Sequence, residues 1–304
     1  MALGRTGRLA ELVVAAAGWG ATTVAIKIAV RGIPPMTVLF VQLVTATAVL
    51  WIVFAIKGIH WPANVGRFAL TGVFEPGVTF AAVDFGLSHT SAASASLLAG
   101  AESVFVVILA MIFLRERPAA VAFVAVAIAL VGVAVLSGAA PTASESFGNA
   151  FVLAGTLSAA CYVTLASTVA PGADTAAMTA YQFLAGTVVG LPFVAAQWIS
   201  AGAVLPSGAT AGQWGAAVFA GVIGLAAAYL LYNHAAAVIN VTLAGMTINL
   251  IPVFGLIAAI TVLGERLRFG QIVGAALIVL ALVVFTAHDG RRLRGAGHAG
   301  PGAP

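Results

Sequence analysis

Ten stretches of about 20 apolar residues occupy nearly the whole chain, and about 20 such residues is the length a helix needs to cross a bilayer. They run approximately over 9–30, 36–56, 67–87, 92–114, 118–138, 149–169, 176–199, 213–234, 239–263 and 268–287. The connections are short and carry Gly, Pro, Ser and Asn, so no soluble domain fits between them. Of the 304 residues, 62% are hydrophobic and 7% charged, against about a quarter charged in soluble domains. So few charges cannot cover the surface of a soluble fold, and intrinsic disorder requires the opposite composition. The stretches are continuously apolar rather than alternating, which disfavours an outer-membrane barrel. The expected fold is an all-α membrane protein with ten transmembrane helices. The first stretch follows Arg5 and Arg8 like a signal peptide, but it is too long for one and contains Lys27, so it is read as a retained span.

Thirteen basic and nine acidic residues leave a net charge of +4. The basic residues form no patch, so no nucleic-acid partner is expected. A single cysteine, Cys161, permits neither an internal disulfide nor a cysteine zinc site. With the N-terminus in the cytoplasm, the inside holds Arg5, Arg8, Lys57, Arg67, Arg115, Arg117, Arg291, Arg292 and Arg294. The outside holds Arg31, Arg266 and Arg268, which satisfies the positive-inside rule. Both termini are expected to be cytoplasmic, in a bacterial-type inner membrane.

Sliding the chain by 149 positions sets Val104–Arg117 (VFVVILAMIFLRER) on Val253–Arg266 (VFGLIAAITVLGER), with seven identities in 14. The same offset places Asp84 on Asn233 and Gly72 on Gly221. Each half has five spans, an odd number, so the second half enters the membrane in the opposite sense. The expected organisation is a first repeat over 1–140, an inverted second repeat over 141–288, and a disordered cytoplasmic tail over 289–304. Inverted repeats recur in secondary transporters, with the substrate site near the midplane between the halves.

The segment GWGATTVAIK (Gly18–Lys27) resembles the first-helix signature of EamA-type transporters of the drug/metabolite transporter superfamily. Leu87–Arg117 resembles that family's third-to-fourth helix motif, including its Glu at Glu102 and its terminal Glu at Glu116; Val238–Leu267 is the second copy. The family's Glu-Pro pair stands here as Glu102–Ser103 and Ile251–Pro252, so each copy keeps half of it. The resemblance implies a fold and a transport role. It favours efflux of amino acids, related metabolites or cationic drugs.

Charged residues deep in spans fall only in spans 1, 3 and 4. A charge at the bilayer centre costs about 2.5–3.5 kcal/mol, so it normally faces a cavity or a partner. At a rise of about 1.5 Å per residue, Glu75 lies about 12 Å from the inner end of span 3 and Glu102 about 15 Å from the outer end of span 4. Both sit near the midplane, where a carboxylate either carries a proton during transport or serves as neutral structural glue. Pro76 cannot donate to the carbonyl of Gly72 and crowds it, which predicts a kink with a free carbonyl at cavity depth. Lys27 and Asp84 share a depth about 26 Å from the inner ends of their spans and are expected to form a gating or structural ion pair. Trp19, Tyr229, Asn233 and Asn249 are further candidate solute contacts, with interhelical hydrogen bonding as the alternative for the polar ones. Glu116 and Glu265 are read as structural caps on the amides of the next helix. No metal-binding spacing and no cofactor motif occurs.

The expected function is a secondary transporter, working as an exporter by alternating access, with proton coupling left open. The partners are a small-molecule solute, the lipid bilayer and, if coupled, protons, in a monomer or homodimer. An uncoupled facilitator or channel is the first alternative. An intramembrane enzyme is disfavoured, because no Gly-x-Ser-Gly elbow, His-Glu-x-x-His helix or paired-Asp site is present.

Overall fold

The computed structural model describes residues 5–115, 120–138, 142–169, 172–201, 206, 208–236 and 250–296. Every regular element among them is a helix: α1 (Arg5–Ala29), α2 (Pro35–Lys57), α3 (Val65–Gly72), α4 (Thr79–His89), α5 (Ala92–Ala99), α6 (Glu102–Phe113), α7 (Ala120–Gly138), α8 (Ala143–Val169), α9 (Thr175–Ala201), α10 (Ala211–Phe219), α11 (Ala228–Ala236), α12 (Ile251–Leu263) and α13 (Phe269–Ala296). Wider π turns join α3 to α4 (Val73–Val78) and α10 to α11 (Ala220–Ala227). Among the described residues, seven helical stretches are long and apolar enough to cross a membrane: Gly7–Ala29, Pro35–Lys57, Val65–His89, Ala92–Phe113, Ala143–Val169, Thr175–Ser200 and Ala211–Ala235. Phe123–Gly132, Ile251–Leu263 and Phe269–Ala281 are shorter apolar helices.

Local chemistry sets the helix ends. Pro35 opens α2, where a missing N–H costs nothing, and Gly58 at φ 94° closes it. Thr210 and Gln213 form a reciprocal capping box at the start of α10. The last helix continues to Ala296, so residues 289–296 are helical where the sequence suggested a disordered tail. Arg and Leu are good helix formers and carry the established hydrogen-bond ladder onward past Gly290.

Close packing comes from small residues. A Cβ on Gly86 would lie 2.7 Å from the carbonyl of Gly148, and one on Gly148 would lie 2.8 Å from that of Gly86. The α4 and α8 backbones therefore touch, as small residues allow in membrane bundles. Large apolar side chains such as Ile52, Phe123, Ile199 and Phe269 are more than half exposed, a surface suited to lipid.

Polar contacts gather at the two ends of the bundle. At one end Arg268 pairs with Glu145 at 3.1 Å, near Lys27 and Glu265. At the other, Arg8 and His234 meet Glu11 at 3.3 and 3.2 Å, and His60 meets Asp174 at 3.6 Å. Midway, α2 crosses α9 through a reciprocal contact. Thr47 Oγ1 donates to the Phe183 carbonyl at 3.2 Å, Thr187 Oγ1 reaches the Leu43 carbonyl at 3.5 Å, and the two hydroxyls lie 2.8 Å apart.

Candidate functional site

The centre of the bundle is built where helices break. Pro76 has no N–H, and its ring pushes the preceding residue toward extended backbone. Glu75 accordingly has φ −142° and ψ 122°, and the Glu75–Pro76 peptide is cis. Side chains take up the carbonyls beside the break. The Phe74 carbonyl accepts Thr79 Oγ1 and Ser158 Oγ, each at 2.9 Å, and the Glu75 carbonyl accepts Gln182 Nε2 at 2.8 Å. Protein groups therefore hold the Phe74 and Glu75 carbonyls at this kink.

The Glu75 carboxylate accepts a hydrogen bond from the Tyr229 hydroxyl of α11. Tyr229 is 2% exposed. Its ring meets Trp19 at 5.1 Å and Phe183 at 5.0 Å, both edge to face, and Tyr162 at 6.3 Å. Trp19 also meets Tyr232 at 5.4 Å. Glu102 is the first residue of α6, directly after the break at Gly100–Ala101 that separates α6 from α5. It lies within electrostatic range of Glu75 and Tyr232.

Glu75 and Glu102 are half-buried, and Tyr162, Tyr229 and Tyr232 lie within electrostatic range of both. Among the described residues no hydrogen bond reaches the Glu102 carboxylate. The Trp19 indole N–H is buried, with no acceptor among the described residues. A half-buried pair of carboxylates, a spare indole donor and aromatic faces can hold a small polar solute and exchange a proton with it. No group of His, Cys, Asp and Glu among the described residues is arranged for a metal ion.

The other expected contacts resolve differently. Asn233 shares a helix face with Tyr229 but donates to Thr179 Oγ1 at 2.7 Å, an interhelical bond. Lys27 and Asp84 do not pair. Lys27 Nζ donates to the carbonyls of Leu87 and Thr90 at 2.7 and 2.5 Å. The fully buried Asp84 accepts from Gln42 Nε2 at 2.5 Å. Equal depth fixes only the axial coordinate: Asp84 faces α2, whereas the last carbonyls of α4 face α1. Glu265 is a cap, as expected, but on a distant helix. Its two oxygens accept the amides of Ala92 and Ala93 at 3.0 and 2.8 Å. Glu116 and Asn249 lie outside the described residues.

Sequence reasoning missed Gln182 and Gln42, both fully buried. Their signal was an amide deep inside an apolar span, overlooked because attention went to charged groups.

The EamA-like transporter family matches residues 9–138 and again 146–287. The chain belongs to this family. An "Uncharacterized transporter" of Archaeoglobus fulgidus is 27% identical over 267 residues, covering 88% of this chain and 94% of the relative. A "Probable terminal-alkyne amino-acid exporter" of Streptantibioticus cattleyicolor is 26% identical, covering 92% of this chain and 94% of the relative. A solved crystal structure of a protein superposes with a TM-score of 0.64 at 19% identity, covering 95% of this chain and 99% of that one, a likeness of fold alone. Membership of the EamA family makes the chain an integral membrane protein, and the family and its transporter-named relatives point to a transporter rather than an enzyme.

Proposed function

We propose that this EamA-family chain is a secondary transporter that exports small organic solutes such as amino acids, related metabolites or cationic drugs by alternating access, with Glu102 and Glu75 as the coupling carboxylates. The observation that carries the reading is the Glu75–Tyr229 hydrogen bond, which ties a broken helix of the first half to the second half within electrostatic range of Glu102. Substrate and ion sites of secondary transporters typically form at discontinuous helices between repeats.

Ten spans in two inverted repeats, over 1–140 and 141–288, underlie this mechanism. Four observations support them. The family matches the chain twice. The offset of 149 carries the π turn Val73–Val78 onto 222–227, inside the second π turn, and carries the start of α6 at Glu102 onto the start of α12 at Ile251. A Cβ on Gly72 would meet the Gln182 carbonyl at 2.0 Å, and one on its counterpart Gly221 would meet the Gln42 carbonyl at 2.6 Å. The Thr47–Thr187 contact is reciprocal, as a two-fold axis requires. The excess of Arg and Lys at the Arg8 end supports a cytoplasmic location for that end and for both termini.

Glu102 is the coupling candidate because its counterpart is Ile251, so the fold does not demand a carboxylate there. An acid that the fold can spare, kept at a costly depth, points to function. The test uses purified protein in liposomes, a panel of amino acids and organic amines, and a pH gradient imposed or removed. Glu102→Gln is expected to keep solute exchange and lose acceleration by the gradient. A Gln variant driven at the native rate makes Glu102 structural. A parent protein indifferent to the gradient makes the chain an uncoupled facilitator.

A further inference from the structure

The turn joining α4 to α5 is gripped from two directions. From one side, Lys27 of α1 donates to the Leu87 and Thr90 carbonyls, which close α4. From the other, Glu265 accepts the Ala92 and Ala93 amides, which open α5. Glu265 belongs to the second half of the chain, in the connection 264–268 between α12 and α13. Each charge has the sign that suits the helix end it meets: a cation at free carbonyls and an anion at free amides. Lys27 and Glu265 also lie within electrostatic range of one another.

Beneath this grip the path is shut. A Cβ on Gly20 would lie 2.6 Å from the Gly255 nitrogen, and one on Gly255 would lie 2.4 Å from Ser96 Oγ. Spans 1, 4 and 9 therefore meet almost backbone to backbone between the turn and Glu102. Every residue from Ala92 to Leu98 is buried, whereas Phe105–Met111 are half-buried and Ile112 and Phe113 are exposed. The tight half of span 4 is the half that Glu265 holds. Its other side-chain tie to the second half among the described residues is Gln271 Nε2 to Ser94 Oγ at 2.8 Å.

We propose that Glu265 is the latch of the outer gate: its two bonds to the start of α5, seconded by Lys27 on the end of α4, hold the solute path closed on the outer side, and their release lets that side open. The inference rests on the alternating-access reading above. Access to Glu102 from outside requires the Ala92–Ala99 segment to leave α12, and Glu265 is the charged group that joins them. A carboxylate on helix amides suits a latch, because the separated partners are both rehydrated when the gate opens and re-form without a covalent change.

The experiment labels a single thiol. Ser96→Cys in a Cys161→Ser background places one cysteine in the closed contact, and a membrane-impermeant thiol reagent is applied to the outside of sealed vesicles. The parent is expected to label slowly. Glu265→Gln, which keeps the shape and removes the charge, is expected to label about five- to fifteenfold faster, the scale of losing a charge-assisted helix cap. Lys27→Met is expected to act in the same direction, and it carries the test if Glu265→Gln fails to fold. Glu145→Gln breaks the Arg268 pair at the same end without touching the turn and is expected to label at the parent rate. Folded Glu265→Gln protein that labels at the parent rate overturns the latch, as does equal acceleration by Glu145→Gln. Solute flux of the parent in the same vesicles is read separately. A parent that moves no solute overturns the transport reading, while the labelling comparison still decides the latch.

Discussion

Replacing Tyr229 by Phe removes one oxygen and nothing else from the centre of the molecule. The ring contacts to Trp19, Phe183 and Tyr162 survive, because they depend on the ring and not on the hydroxyl. The position is 2% exposed, so no water replaces the lost donor from the Tyr229 side. What is lost is the hydrogen bond to Glu75 Oε1, whose donor is the one side-chain donor to that carboxylate among the described residues. A hydrogen bond to a neutral acid contributes about 0.5–1.5 kcal/mol, and one to an ionised acid about 1.5–3 kcal/mol. The size of the loss therefore reports the charge that Glu75 carries in this conformation. The assay is thermal unfolding of purified protein in detergent, with Tyr229→Phe, Glu75→Gln and the double variant forming a cycle. A drop of about 2–6 °C is expected for Tyr229→Phe, with a coupling of about 1–3 kcal/mol between the two sites. Additive single variants, or a Tyr229→Phe protein that melts with the parent, would falsify the argument that this bond joins the halves.

The remaining predictions concern packing and the outer end. Lys27→Ala and Asp84→Ala are expected to be additive in the same melting assay, with a coupling below about 0.5 kcal/mol, because each residue has its own partner; strong coupling would restore the ion pair that the sequence suggested. Gly221→Ala is expected to destabilise by about 1–3 kcal/mol through overpacking, since the new methyl would lie 2.6 Å from the Gln42 carbonyl and 2.9 Å from its Cα, neither of which rotates away. A melting temperature equal to the parent's would mean that α2 and the π turn separate freely.

How much was legible follows from what each signal measures. Apolar runs measure burial in lipid or protein, and they located the seven described helical stretches long enough to cross a membrane, with ends that differ by up to six residues. The depth of Glu75 and Glu102 came from counting along a helix, and the structure brings the two within electrostatic range of one another. Counting along one helix cannot give azimuth, and that is where the Lys27–Asp84 pair failed. Which groups meet the break at Pro76 is equally hidden from such counting: Thr79, Ser158 and Gln182 take up the Phe74 and Glu75 carbonyls, two of them from other helices. Glu265 was identified as a cap from the charge and its place after a helix, but the amides it meets lie more than 170 positions earlier in the chain.

The sequence by itself determined the class of molecule. Too few charges to wet a soluble surface, with apolar runs of membrane length, leave helices in a bilayer as the state that satisfies every backbone amide. The sequence also located the two acids that such an environment makes costly. Tertiary structure decided the partners. Tyr229 comes to Glu75, Gln42 to Asp84, and Glu265 to the start of α5, each from a distant part of the chain. These pairings depend on the rotation of each helix about its axis and on glycine contacts that bring backbones together. Rotation and contact are properties of the assembled bundle, set jointly by all the helices.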